Sequence, residues 1–198
     1  MKGRPYFAAI READEPPGRP GGAKQLENEM RILGIDPGLQ VCGYACIESN
    51  PRINSGAKLI EGGVIRTTAS KTIETRLNQI AEDIDSILDK FKPDVVGVEQ
   101  LYSHYAHPRT AILMGHARGV ILQRCAEAGV EVKSFGATRI KKCITGNGHA
   151  SKEQMQRTIK ALLGLSAVPE PNDVADAIAA AMCCAEMIKT TGFPLSRE

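Results

Sequence analysis

The sequence has no CxxC pair, no Cys/His run at zinc-ligand spacing, and no secretory signal ahead of its six cysteines, Cys42, Cys46, Cys125, Cys143, Cys183 and Cys184. That excludes a thiol-based zinc site and argues against a disulfide framework, leaving reduced thiols in a cytosolic core as the simplest reading. It also lacks any run of about 18 to 20 uncharged apolar residues, which excludes a membrane-spanning helix and predicts a soluble, cytoplasmic protein. Charge of one sign is scarce overall, with 25 basic against 23 acidic residues and a net +2. A polyanionic partner is therefore neither demanded nor excluded, and the distribution of charge has to decide. What is present is 198 residues, 42% of them hydrophobic, enough for one sizeable core.

Residues 1–29 carry four prolines, four glycines and a balanced mixture of charges with no apolar period, so the segment reads as a disordered extension. Its acidic residues argue against a mitochondrial presequence. Met30, directly before the first strand-like run, is an alternative translation start. From Arg31 the pattern turns regular. Apolar, β-branched runs at 32–35, 44–47 and 63–67 predict three successive strands. Ile73, Leu77, Ile80, Ile84, Ile87 and Leu88 share one helical face that ends at Pro93. A short apolar strand at 95–98, a helix over 109–128, a strand over 130–135, two shorter helices within 137–163 and a last helix over 172–189 complete the chain, with 191–198 as a short tail. A strand meander followed by alternating helices and strands predicts a single α/β domain over 30–190, a mixed sheet flanked by helices. The order fits an RNase H-like fold, although composition alone does not separate it from other three-layer α/β folds.

The carboxylates matter by position, because a metal-ion nuclease needs oxygen ligands brought together from separate elements of a rigid scaffold. Asp36 ends the first apolar run in Gly34-Ile35-Asp36-Pro37-Gly38. An ordinary Asp-Pro-Gly turn accounts for it equally well. Glu99 ends a strand that is apolar on both faces, where an unpaired carboxylate is costly unless the strand has reached the surface. Asp173 and Asp176 share one side of the first turn of the last helix, behind Asn172 as its expected N-cap. Helix capping and the macrodipole explain this pair as well as catalysis does.

Five ordered motifs narrow the choice: Leu33-Gly34-Ile35-Asp36-Pro37-Gly38; Val98-Glu99-Gln100 with Tyr102; Gly115-His116-Ala117-Arg118-Gly119-Val120; the stretch 146–154 around Ser151-Lys152; and Asp173-Val174-Ala175-Asp176-Ala177. Together they resemble the RuvC-type Holliday-junction resolvases over roughly residues 30–189. The resemblance implies an RNase H-like, homodimeric endonuclease that cuts two symmetric strands of a four-way DNA junction in recombination and repair, working with a branch-migration motor. It implies that Asp36, Glu99, Asp173 and Asp176 are the catalytic and metal-binding carboxylates. Two Mg2+ ions, with Mn2+ as a plausible substitute, would serve the hydrolysis, and hard oxygen donors without competing His or Cys suit them.

Between residues 133 and 160 seven basic residues face one acidic residue, Glu153, a local +6 concealed by the overall balance. This stretch is the expected phosphate-binding face, and a solvated helix surface is its plainer explanation. The resemblance singles out Lys141 and Lys152 as DNA contacts; Arg139 and Lys142 are further candidates. Ser151 and Gln154 are spaced as a capping box beside Lys152. Tyr102 matches an aromatic that in the family stacks on a base at the junction centre, a contact worth about 1 to 3 kcal/mol. Its loop departs from the family pattern, with Tyr in place of the commoner Phe and His107-Pro108 where Lys-Asn is frequent. His104 and His107 alone make no metal site. The helix over 109–128 is apolar all round and must be covered on two sides, by the sheet and by either a second subunit or the rest of the same chain.

Three other readings compete. A related RNase H-like nuclease acting on other structured nucleic acid would keep the cluster and change the substrate. A phosphate-binding ATPase or sugar kinase lacks its further phosphate loops here and enough chain for two lobes. A non-catalytic DNA-binding module leaves the filling of all four acidic positions unexplained.

Overall fold

A computed structural model describes residues 10–11, 29–50, 56–101 and 108–191. The strands are β1 (Ile10–Arg11), β2 (Met30–Asp36), β3 (Val41–Ser49), β4 (Lys58–Arg66), β5 (Val95–Glu99) and β6 (Glu131–Phe135). The helices are α1 (Ile73–Phe91), α2 (Pro108–Glu127), α3 (Ala137–Thr145), α4 (Lys152–Leu163) and α5 (Asn172–Thr191). The strands form one sheet in the order β1-β4-β3-β2-β5-β6. β2, β3 and β4 make an antiparallel meander, while β5 and β6 join β2 in parallel. This is the expected mixed sheet. Within the segment read as disordered, Ile10–Arg11 adds a short antiparallel edge strand opposite Gly62 and Glu61. An unpaired edge of β4 offers backbone groups that even two residues can satisfy.

Two aliphatic cores lie on opposite faces of the sheet. One is built with α1 and α2 and includes Leu33, Ile35, Ile80, Ile84, Val96, Val98 and Ile121. The other is built with α3, α4 and α5 and includes Ile32, Ile47, Val95, Ile140, Ile159, Ala177 and Ile188. α1 starts at the Thr72 cap, whose side chain accepts the Thr75 amide, and buries Ile80, Ile84, Ile87, Leu88 and Phe91. It stops at Lys92 in a left-handed conformation just before Pro93.

α2 is covered on one side by the sheet. It buries only Ala117, Ile121 and Cys125 in the chain itself, while Ile112 is 61% exposed and the positions of Gly115 and Gly119 open onto empty space. Among the described residues nothing covers its second side. A buried charge that the sequence did not announce lies under the meander: Glu61, 4% exposed, is held by Lys90 Nζ at 2.7 Å and by the Tyr44 hydroxyl at 3.0 Å.

Candidate active site

The site grows from the parallel pairing of β2 with β5. Ile35 lies opposite Val98, so Asp36 and Glu99, the next residue on each strand, leave the sheet side by side at its carboxyl end. Beyond Asp36 the chain turns at Pro37-Gly38, and a Cβ on Gly38 would lie 1.9 Å from the Val41 carbonyl oxygen, so only glycine fits the turn. Thr67 pins that turn, its hydroxyl donating to the Leu39 carbonyl at 2.6 Å and accepting from Arg76 Nε at 2.9 Å. The end of β5 is fixed from α2, where Arg118 donates to the Glu99 carbonyl at 3.4 Å and to Ser134 Oγ at 2.8 Å.

α5 crosses this sheet at very short range because the strands beneath it present glycine. A Cβ at Gly43, the partner of Asp36 across β2 and β3, would lie 2.0 Å from the Asp173 carbonyl oxygen. At Gly34 it would lie 2.0 Å from the Ala177 oxygen. Small residues on the helix and absent side chains on the strands thus seat the first turn of α5 over the ends of β2 and β3. Asp173 and Asp176 are thereby brought to Asp36 and Glu99. Asn172 begins the helix rather than capping it, and its Oδ1 accepts from Gln156 Nε2 at 2.9 Å.

The four carboxylates interact. Burial, then the charges of Asp176, Glu99 and Asp173, push the Asp36 carboxyl up to about 7 against the partial relief given by Lys152. Burial and the Asp176 charge push Glu99 to about 7, with Lys141 and Lys152 opposing. Asp176 is also raised, mainly by burial and further by Asp173, against Lys152 and Lys141. Crowded carboxylates in a partly dry site resist ionisation together.

Two of the expected basic residues face this cluster. Lys152 opens α4 behind a complete capping box, in which Ser151 Oγ accepts the Gln154 amide and Gln154 Oε1 accepts the Ser151 amide. Its Nζ is 3.8 Å from Asp176 Oδ2. Lys141, on α3, acts on Glu99 and Asp176. Arg139 and Lys142 do not join them. Arg139 lies over the Phe135 ring at 5.3 Å, and with Lys142 it lines a cavity toward the C-terminal half of α5. Tyr102, Tyr105, His104 and His107 lie outside the described residues.

The donor set suits a hard cation, being all carboxylate oxygen with two strands and a helix as its frame. Among the described residues no three His, Cys, Asp or Glu side chains converge as a metal site. The carboxylates are gathered at the carboxyl ends of β2 and β5, where the other three raise the pKa of Asp36, without closing on a common point. Sequence reasoning missed Arg118, Thr67, Arg76 and the glycines under α5. The glycines had a signal, since three-to-four-residue spacing of Ala177, Ala180, Ala181 and Cys184 marks a helix made for close approach.

A mixed RNase H-like sheet that collects four acidic side chains beside two lysines defines a nuclease. The family described as "Crossover junction endodeoxyribonuclease RuvC" matches residues 32–184, and the chain belongs to that family. A protein of this description from Rhodopirellula baltica is 48% identical over 166 residues, covering 83% of this chain and 88% of the relative. One from Caldicellulosiruptor saccharolyticus is 43% identical, covering 78% and 91%. The structure titled "T. thermophilus RuvC in complex with Holliday junction substrate" superposes with a TM-score of 0.75 at 31% identity, covering 81% of this chain and 96% of that one.

Proposed function

We propose that this protein resolves four-way DNA junctions by metal-dependent phosphodiester hydrolysis, with Asp36, Glu99, Asp173 and Asp176 as ligands of two Mg2+ ions. The observation that carries the reading is the convergence of strand ends and helix start: Asp36 and Glu99 exit adjacent parallel strands, and α5 is held over them by the Gly43 and Gly34 contacts. The chemistry of the relatives described above supplies the substrate class. Bound magnesium would activate a water and stabilise the leaving 3′ oxygen.

The chain's own residues account for the rest. Asp36 and Glu99, with carboxyls pushed to about 7, exchange protons for a divalent ion near neutrality, so metal affinity rises with pH through that value. Lys141 and Lys152 stand at the rim of the cluster, where their charge meets the phosphate being cut and limits the repulsion between DNA and carboxylates. The side of α2 that the described residues leave open, with Ile112 and the two open glycines, is the surface for a second subunit. Such a homodimer would present two active sites to symmetric strands. Tyr102 serves as the base-stacking contact, and branch-migration motor proteins are the expected partners in recombination and repair.

The test is nicking of a synthetic mobile four-way junction in Mg2+, with flaps and RNA-containing duplexes as competing substrates. Paired symmetric cuts in two opposite strands are expected. Preference for a flap or hybrid would assign the same cluster to another structured nucleic acid, and binding without cutting would remove catalysis.

A further inference from the structure

Away from the carboxylates, α3 and the C-terminal half of α5 border a cavity of about 630 Å³. Cys143 on α3 and Cys183 on α5 both line it, with Arg139, Lys142, Lys189 and the carboxylate of Glu186 around the same opening. Cys143 is half-buried, whereas Cys183 is 2% exposed and belongs to the aliphatic core. The two thiols share this lining, from α3 on one side and α5 on the other, and each perturbs the other's titration. The remaining cysteines, Cys42, Cys46, Cys125 and Cys184, are 0–1% exposed. Only Cys143 therefore combines a route from solvent with a second thiol beside it.

We propose that Cys143 is a reactive thiol that small disulfides reach through this cavity, and that Cys183 resolves the adduct into a disulfide joining α3 to α5. The direction of the chemistry follows from the neighbours. The neighbouring Cys183 thiol, and to a smaller degree the Arg139 charge, hold the Cys143 thiol below its ordinary pKa against burial and the Glu186 charge, while Cys183 is raised by Cys143 and by burial. The Cys143 thiolate attacks one sulfur of a small disulfide such as glutathione disulfide. One S–S bond forms, one breaks, and one glutathione thiolate leaves. Cys183, its proton lost to solvent, then attacks the Cys143 sulfur and expels the second glutathione thiolate. Two protein thiols are oxidised and one glutathione disulfide is reduced to two thiols, so the exchange balances.

The experiment uses the full chain in its native state. It is exposed to glutathione disulfide near neutral pH, quenched by alkylation and digested without reduction for mass spectrometry. A single cross-linked peptide pair containing Cys143 and Cys183 is expected, with Cys143 reacting at least about tenfold faster than any of the four buried cysteines. Cys183→Ala should stop at a glutathione adduct on Cys143. Cys143→Ser should leave the native protein unmodified over the same period. The proposal is overturned if native Cys143 reacts no faster than the buried thiols while urea-unfolded protein reacts freely. It is equally overturned if the wild-type adduct persists on Cys143 without passing to Cys183.

Discussion

Asp36 is raised from 3.8 to about 7, so its carboxyl is more easily protonated in the folded protein than in the unfolded chain. The sign of the linkage is fixed by that direction. Between about pH 4 and 7 the native state binds the extra proton, so stability falls as pH rises, and the full cost of the charge is present above pH 7. Three pH units correspond to about 4 kcal/mol, and partial solvent access to the group cuts this to about 2–4 kcal/mol. Asp36→Asn removes the charge and keeps the shape. In metal-free buffer at pH 8 the variant should be more stable than the parent, with Tm higher on the order of 5–10 °C for a fold of this size. The gain should shrink as pH falls and be nearly gone at pH 4. Calorimetry in EDTA at pH 8, 6 and 4 measures it, alongside junction binding and cleavage at pH 8 in Mg2+. Binding should persist and cleavage should be lost. An unchanged or lower Tm at pH 8, or a gain independent of pH, would refute the electrostatic reading. Near parental cleavage would remove Asp36 from the active site.

Gly43→Ala forces a Cβ into the Asp173 backbone, so it should cost about 1–3 kcal/mol by overpacking. Cleavage should fall by about 100-fold because Asp173, proposed above as a metal ligand, is displaced. Gly56→Ala, which meets nothing within 4 Å, is the control, expected within about 0.5 kcal/mol by urea denaturation. Lys152 lowers the pKa of Asp36, Glu99 and Asp176, so Lys152→Ala should move the pH at half-maximal cleavage upward; a downward or absent shift would contradict the placement of this lysine. Ile112→Glu alters a side chain that is 61% exposed in the chain, so the fold should lose less than about 0.5 kcal/mol. With the proposed homodimer formed through α2, light scattering should nevertheless show the mass halved relative to the parent, and an unchanged mass would count against α2 as the dimer contact.

How far the molecule could be read from its sequence depends on whether the determining contacts are local. The element order and the strand-end positions of Asp36 and Glu99 were legible because an apolar β-branched run, a carboxylate and a Pro-Gly turn follow one another in a few residues. Asp173 and Asp176 were ambiguous with helix capping because their place is decided by Gly43 and Gly34, more than 100 positions earlier, through contacts no local pattern expresses. The buried Glu61 was missed for the same reason, since its partner Lys90 is 29 residues away. The basic stretch shows the opposite limit. Its net charge was plain, but neighbouring residues on a helix point about 100° apart, so Lys141 reaches the carboxylates while Lys142, the next residue, lines the cavity at the other end of α5. Charge counting identified the segment; only the turn of α3 divides it into a side facing the carboxylate cluster and a side facing the Cys143 cavity. For α2, apolar residues all round implied two covered sides, and the described residues cover one. That open side is itself informative, because the sequence specifies burial that the described residues do not provide.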